Sequence, residues 1–285
     1  MAAVPSKRQR PGSVEPASLG AADHPVHSCR AAMTRPGIFI PSLAILLLLG
    51  CSDARSTFLD EQKKYVRVRE AIEEKAPLVT RTLAENGLSA SSLNILIVAY
   101  KDEGSLELYG KSRAEKTYRL IRTYKIVAKS GVLGPKSAQG DFQVPEGFYH
   151  IDRFNPVSNF YLSLGINYPN NADRRRIRSG KPGGDIFIHG SSVTVGCLPI
   201  TDDKIKELYL YAAFARDNGQ LIIPVYLFPF RMSDANMREF ERRHAADSSL
   251  TAFWRNLKQG FDLFMATGTP LAVVPAPDGH YAYQR

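Results

Sequence analysis

The strongest constraint on this chain is its supply of short, strand-like apolar segments, each cut off by turn residues before it grows long. Residues 93–100 read Leu-Asn-Ile-Leu-Ile-Val-Ala-Tyr, a composition that suits a pleated, buried ribbon. Asp102-Glu103-Gly104 follows as a turn, and residues 106–109 as the return strand of a hairpin. Residues 118–128 alternate through Tyr118, Leu120, Arg122, Tyr124 and Ile126. Residues 148–154 and 160–164 are further short strands, and 185–189, with Ile186, Phe187 and Ile188, reads as a buried one. Residues 221–228, 271–274 and 281–283 complete the set.

Helical signals are fewer. Residues 58–86 predict a helix packed on the domain, capped by Thr57, with Asp60 in its first turn and Gly87 past its end. Pro77 should break or kink it. Thr201 caps a helix reaching about Asp217, with Asp202 and Asp203 at its positive end. Residues 233–244 and 250–265 also read as helices, and 167–184 as a long basic loop holding Arg174, Arg175, Arg176 and Arg178. Many short strands with few helices between them predict an α+β domain on a mainly antiparallel sheet with peripheral helices. No internal repeat, P-loop or dinucleotide fingerprint is present. The formal net charge is +9, but the cations are scattered, with no zinc-finger, RNP or basic-helix motif. Nucleic acid is therefore not an expected partner; an anionic envelope polymer suits the charge.

The start of the chain is unlike the rest. Residues 33–50 read as a signal peptide: Arg35 near Met33, then an apolar run ending Leu48-Leu49-Gly50-Cys51-Ser52. That ending resembles a bacterial lipobox, whose cysteine takes a diacylglycerol and becomes the mature N-terminus. The run is short of the roughly 20 residues that span a bilayer, the competing reading. Residues 1–32 hold Lys7, Arg8, Arg10 and several prolines with no apolar run, which fits either an overlong gene start or a disordered leader. The expected plan is a leader over 1–32, a signal peptide over 33–50, a tether and helical region over 51–92, and a catalytic domain over 93–285. Ser52 after the lipid-bearing Cys51 leans toward a periplasmic, outer-membrane location by resemblance to lipoprotein sorting signals. Of the three cysteines, Cys29 is then removed and Cys51 acylated, so Cys197 alone remains as a free thiol. A lone exported thiol is a hazard unless it is buried or used.

Residues 188–197 hold the chemistry: Ile-His-Gly-Ser-Ser-Val-Thr-Val-Gly-Cys. His189 ends a buried strand. Eight residues later Cys197 follows Gly196 and precedes the Thr201-capped helix. A helix N-terminus and a nearby imidazole both favour thiolate, and the imidazole can relay protons. The Gly196 and Cys197 amides are then candidates to face a developing oxyanion. From these residues alone, a buried cysteine beside a satisfied core histidine stays open as the competing reading.

The segment resembles the active-site motif of the L,D-transpeptidase catalytic domain, the YkuD family: His189-Gly190, then Thr194-Val195-Gly196-Cys197. Upstream, the segment from Gln139 to Tyr149 resembles the family's Thr-Pro-x-Gly-x-Tyr signature, with Val144 in the Thr place. Asn155-Pro156 and residues 162–170, 197–202 and 253–258 are similar to the YafK-type branch, and the likeness spans about 93–283. Two positions depart from the common pattern. Val195 stands where a second histidine is usual and Pro199 where an arginine is, and the gap from His-Gly to Cys is short. The YafK-type branch shares these departures.

The resemblance implies a YkuD-like β-sandwich and a cysteine-dependent acyl transfer at a diaminopimelate carbonyl of peptidoglycan stem peptides. Cys197 is then the nucleophile and His189 the proton handler. Gly196 and the Cys197 amide support the oxyanion, and Gly190 and Thr194 support the motif, with Thr194 orienting His189 or substrate or making a structural hydrogen bond. Tyr149 or His150 is a candidate to line the groove, and Arg174 and Arg176 to grip carboxylates. The branch also includes members implicated in hydrolysing the amide between murein diaminopimelate and an attached lipoprotein. A non-catalytic envelope-binding role is the remaining alternative. No metal or cofactor is expected, because no cysteine-histidine cluster has ligand spacing.

Overall fold

Strand β1 (Leu93–Tyr100) is the apolar run of residues 93–100, and the rest of the sheet is arranged around it. The computed structural model describes residues 56–177 and 180–284; the segment ending at Cys51, the start of the tether and Arg178 lie outside them. β1 is buried on both faces. Leu93, Ile95, Ile97 and Ala99 enter one apolar core, while Leu96, Val98 and Tyr100 enter a second behind it. Strand β8 (Pro224–Phe228) repeats this, with Val225 and Leu227 on one side and Tyr226 and Phe228 on the other.

Six more strands complete the sheet: β2 (Ser105–Ser112), β3 (Arg119–Lys125), β4 (Gly147–Asn155), β5 (Ser163–Ile166), β6 (Ile186–His189) and β7 (Leu198–Pro199). Their order is β3-β2-β1-β8-β4-β5-β6-β7. The sheet is mixed, which corrects the antiparallel expectation: β1 pairs with β8, and β6 with β7, in parallel. Apolar alternation marks a strand but carries no direction. β8 returns only after a long excursion of the chain, and a long connection is what parallel pairing needs.

β4 makes the sheet curl. Its residues 147–150 pair with β8 and its residues 151–155 with β5, with a register shift between Ile151 and Arg153. Such an irregularity bends a strand and increases its twist. The curl brings the two ends of the sheet together: the Val127 amide, just past β3, donates to the Pro199 carbonyl of β7 at 2.9 Å.

Helix α4 (Asp202–Asp217) lies inside the curl, against β1, β5 and β6. It is buried almost all round, including Ile205, Leu208, Tyr209, Tyr211 and Ala212. Thr201 Oγ1 caps it by accepting from the Lys204 amide. Helix α2 (Val66–Glu85) covers α4 and adds Val68, Ala71, Val79 and Leu83 to the first core. The region expected as one helix is two, because α1 (Phe58–Lys63), opened by a Thr57–Asp60 capping box, ends before Tyr65. Pro77 does not break α2. It lies on the exposed side of the helix.

The second core is closed by α6 (Ser248–Thr267), through Phe253, Trp254, Leu257, Phe261 and Phe264, with α5 (Asp234–Arg243) beside it. A hairpin of β9 (Ala272–Pro275) and β10 (Tyr281–Gln284) follows. The basic loop contains a helix the sequence reading left out, α3 (Asn171–Arg176), held by a capping box between Asn170 and Asp173. No helix among the described residues is long and apolar enough to cross a membrane.

Candidate active site

The parallel register of β6 and β7 sets Ile188 opposite Leu198 and His189 opposite Pro199. Ile186, Ile188 and Leu198 face the first core. By strand alternation, Phe187 and His189 stand on the opposite side of the sheet, and Cys197 directly precedes β7. Ideal strands would put the His189 and Cys197 Cα atoms roughly 8 Å apart, one strand spacing across and two residues along. Asp185, Ser191, Gly196 and Thr201 all take positive φ, so the turns framing the pair are sharply bent.

His189 is 1% exposed. The Phe160 ring lies over it, centroids 4.6 Å apart at 33°. His189 Nδ1 sits 2.5 Å from the Gly190 carbonyl oxygen. A carbonyl only accepts, so Nδ1 carries the proton and Nε2 keeps a lone pair. Nε2 has no hydrogen-bond partner among the described residues. Burial lowers the His189 pKa, with the Gly190 carbonyl and the Asp202 carboxylate acting against it. Gly190 is required sterically: a Cβ there would fall 2.6 Å from the Phe160 carbonyl oxygen and closer still to Asp202. Asp202 in turn accepts from the Ser191 amide at 2.6 Å.

Cys197 is half-buried, and its Sγ donates to the Asp185 carbonyl at 3.5 Å. Burial pushes the thiol pKa up, opposed by the Phe187 backbone; Asp185 raises it further and Lys136 lowers it. β7 intervenes before α4, whose first turn meets Ser191 through Asp202. Burial thus favours the neutral imidazole and the thiol over their charged forms.

The turn before Cys197 is closed by Thr194. Its Oγ1 accepts from the Cys197 amide at 2.8 Å and donates to the Cys197 carbonyl at 2.7 Å. Of the roles open to Thr194, this is the structural one. Gly196 has φ +99°, and a Cβ would crowd the Gln143 carbonyl oxygen at 3.1 Å. Its amide donates to Ser130 Oγ at 2.7 Å. Both amides expected to face an oxyanion are therefore engaged by hydroxyls. Cys197 opens onto a cavity of about 180 Å³ whose walls include Ile126, Ala128, Ser130, Leu133 and Val144. His189 does not line it.

Tyr149 and Arg176, expected to bind substrate, do not line the Cys197 cavity. Tyr149 points into the first core at 4% exposure, its hydroxyl 3.1 Å from Asp173 Oδ1 and 3.2 Å from the Glu146 carbonyl. Alternation along β4 forces this, since Phe148 takes the opposite core. Arg176 pairs with Asp173, donates to the Gly279 carbonyl at 3.1 Å and lies over the Phe253 ring at 4.4 Å. Burial raises the Asp173 pKa to about 6, against the pull of Arg176. Together these residues tie α3 to β4 and to the turn between β9 and β10. Half-exposed His150 does not line the Cys197 cavity either. Arg174 is exposed and borders a separate cleft with Asn167, Asn170 and Tyr281.

Sequence reasoning missed Ser130, Phe160 and Lys136. Lys136 is a buried cation paired with Asp141 and donating to the Ala138 carbonyl at 2.9 Å. No local pattern marks Ser130 or Phe160, because each meets a residue far along the chain, Gly196 and His189.

A curled mixed sheet carries a strand-end histidine and, on the turn into the neighbouring strand, a glycine-preceded cysteine. Residues 94–226 match the model of the YkuD, L,D-transpeptidase catalytic domain. A protein of Escherichia coli (strain K12) named "Putative L,D-transpeptidase YafK" is 37% identical over 193 residues, which cover 67% of this chain and 74% of that one. The chain belongs to the YkuD family of L,D-transpeptidase catalytic domains. Among solved structures, the helical cell shape determining protein Pgp2 from Campylobacter jejuni aligns at TM-score 0.39 with 16% identity, over 69% of this chain and 80% of that one. Mycobacterium tuberculosis L,D-transpeptidase 1 aligns at TM-score 0.26 with 14% identity, over 48% of this chain and 62% of that one.

Proposed function

We propose that this chain is a cysteine-dependent acyl-transfer enzyme acting on peptidoglycan stem peptides at a diaminopimelate carbonyl. The observation that carries the reading is the pair itself. His189, whose Nε2 has no hydrogen-bond partner among the described residues, ends β6, and Cys197, which lines a cavity, directly precedes β7, the parallel partner of β6. Cys197 Sγ attacks the carbonyl carbon as its proton passes to His189 Nε2. The intermediate collapses, the C–N bond breaks, and the leaving amine takes the proton from His189. A thioester remains on Cys197. An amine acceptor then gives a cross-link, and water gives hydrolysis.

Water has a specific argument in its favour. Where the common family pattern supplies a second histidine and an arginine, this chain has Val195, 67% exposed, and Pro199, neither with a side-chain donor. Hydrolysis would include releasing a lipoprotein attached to murein diaminopimelate. The deciding experiment is mass spectrometry of muropeptides incubated with the protein. The expected result is a thioester on Cys197 together with either cross-linked or freed products. Unchanged product formation by Cys197→Ala would end the reading.

The reading extends to location. A diacylglycerol on Cys51 would hold the domain in the periplasm at the outer membrane, supported by the Leu48-Leu49-Gly50-Cys51-Ser52 ending. Metabolic palmitate labelling should mark the native chain and spare Cys51→Ala. An unlabelled native chain removes the anchor and leaves the chemistry untouched.

A further inference from the structure

A carbonyl attacked by Cys197 gathers negative charge on its oxygen, and that oxygen needs a donor already in place. The adjacent amides are spent: Cys197 N donates to Thr194 Oγ1 and Gly196 N to Ser130 Oγ. Three side chains with N–H or O–H donors line the cavity beside the cysteine: Lys101, Lys129 and Ser130. Lys101 uses its three donors on the Gly134 carbonyl, the Val144 carbonyl and Glu146, at 2.8–2.9 Å. Lys129 is exposed and reaches back to the Asp102 carbonyl. Ser130 differs. Its oxygen accepts from Gly196, and its hydroxyl proton has no acceptor among the described residues.

We propose that Ser130 is a catalytic residue, whose hydroxyl, held by the Gly196 amide, donates to the oxyanion formed when Cys197 attacks a carbonyl. This rests on the reading of Cys197 as nucleophile. Accepting from Gly196 polarises the Ser130 O–H and makes it a stronger donor. It also fixes Ser130 beside the residue that precedes the sulfur. The loop around it is held in place: Val132 N donates to Gln143 Oε1 at 3.0 Å. At Gly131, φ +72°, a Cβ would fall 2.8 Å from the Phe142 carbonyl oxygen. Preorganisation of this kind is what gives an oxyanion donor its worth. In the step itself, the sulfur lone pair forms the C–S bond and the carbonyl π pair moves to oxygen. Ser130 then donates a hydrogen bond without giving up its proton. The thiol proton goes to His189, and the pair returns from oxygen when the C–N bond breaks.

Two probes separate this role from a structural one. Iodoacetamide alkylates the thiol by direct displacement and makes no oxyanion, whereas a p-nitrophenyl ester acylates it through one. In the full chain, Ser130→Ala should slow acylation about 100-fold, with the alkylation rate unchanged within about twofold. Ser130→Thr keeps the hydroxyl and should acylate within about tenfold of the native rate. Unchanged acylation in Ser130→Ala overturns the proposal, as does an equal fall in both rates or a loss of acylation in Ser130→Thr. Failure of the underlying reading looks different: Cys197→Ala would then still turn over muropeptides.

Discussion

Two polar clusters in this molecule differ in what they leave unbonded and where. At the β4–α3 junction, buried Tyr149 and Asp173 and half-buried Arg176 are linked through Asp173 and to main-chain carbonyls, with Arg176 Nε left without a partner among the described residues. At the β6–β7 junction, His189 is as deeply buried, yet it leaves Nε2 bare, and Cys197 leaves its thiol at a cavity. A buried polar group with its hydrogen bonds made stabilises the fold, and one held in place with a lone pair or proton unspent can act on a substrate. What separates the two clusters is where the leftover bonding capacity sits: Arg176 Nε is closed off inside the fold, whereas the Cys197 thiol lines a cavity.

The contrast can be broken most sharply at Cys197. Cys197→Ser should lose turnover by on the order of 10⁴-fold or more, with a melting temperature close to native. His189→Ala should lose about 100-fold or more, and the double variant little beyond Cys197→Ser, because the pair acts as a unit. His189 must be neutral to accept a proton, and burial lowers its pKa. Activity of the native chain should therefore persist through the ordinary histidine value near ~6.5 and fall only at more acid pH. A pH profile whose acid limb lies above neutrality would contradict this.

The other cluster should respond in stability and not in rate. Tyr149→Phe removes one partner of a buried carboxylate and should cost about 2 kcal/mol, with kcat nearly native. Asp173 has its pKa raised to about 6, above the ~3.9 of the unfolded chain. Its contribution is fully present below about pH 4 and lost as pH rises through about 6. Asp173→Asn abolishes that titration, so melting temperatures across this window should shift in the variant's favour as pH rises. A gap that does not change with pH would show that Asp173 does not titrate there. The smallest effect is expected at exposed Arg174: Arg174→Ala should change stability by less than about 0.5 kcal/mol. A rise in KM for muropeptides without a change in kcat would keep Arg174 as a carboxylate contact, and unchanged kinetics would remove it.

Much of the frame was legible because its causes are local. The Thr57 and Thr201 caps, the Asp102-Glu103-Gly104 turn and the run of β1 need only neighbouring residues, and all are present. The signal for α3 was also local: Asn170 followed three residues later by Asp173. The basic charge of the segment obscured it. The parallel pairing of β1 and β8 left a trace as well, since strands buried on both faces read as unbroken apolar runs. His189 and Cys197 could be named because they sit eight residues apart in one motif. The Gly196–Ser130 bond joins residues 66 positions apart, and the fold alone sets such a meeting. Tyr149 was misplaced for a related reason: β4 has a core on each side, so its alternation gave no outward face at that point.

The closure of the sheet at Val127 and Pro199 also limits how a peptide can be read. Many proteins capture an extended peptide by letting it add as a strand along an open sheet edge, with main-chain hydrogen bonds supplying the affinity. β7, the two-residue strand that follows Cys197, is flanked by β6 on one side and takes a hydrogen bond from Val127 at Pro199 on the other. At Pro199 that outer carbonyl is already spoken for, and proline has no amide proton to offer. A peptide presented to Cys197 therefore cannot zip onto β7 as one more strand. Recognition of any peptide there would rest on contacts other than strand addition to β7.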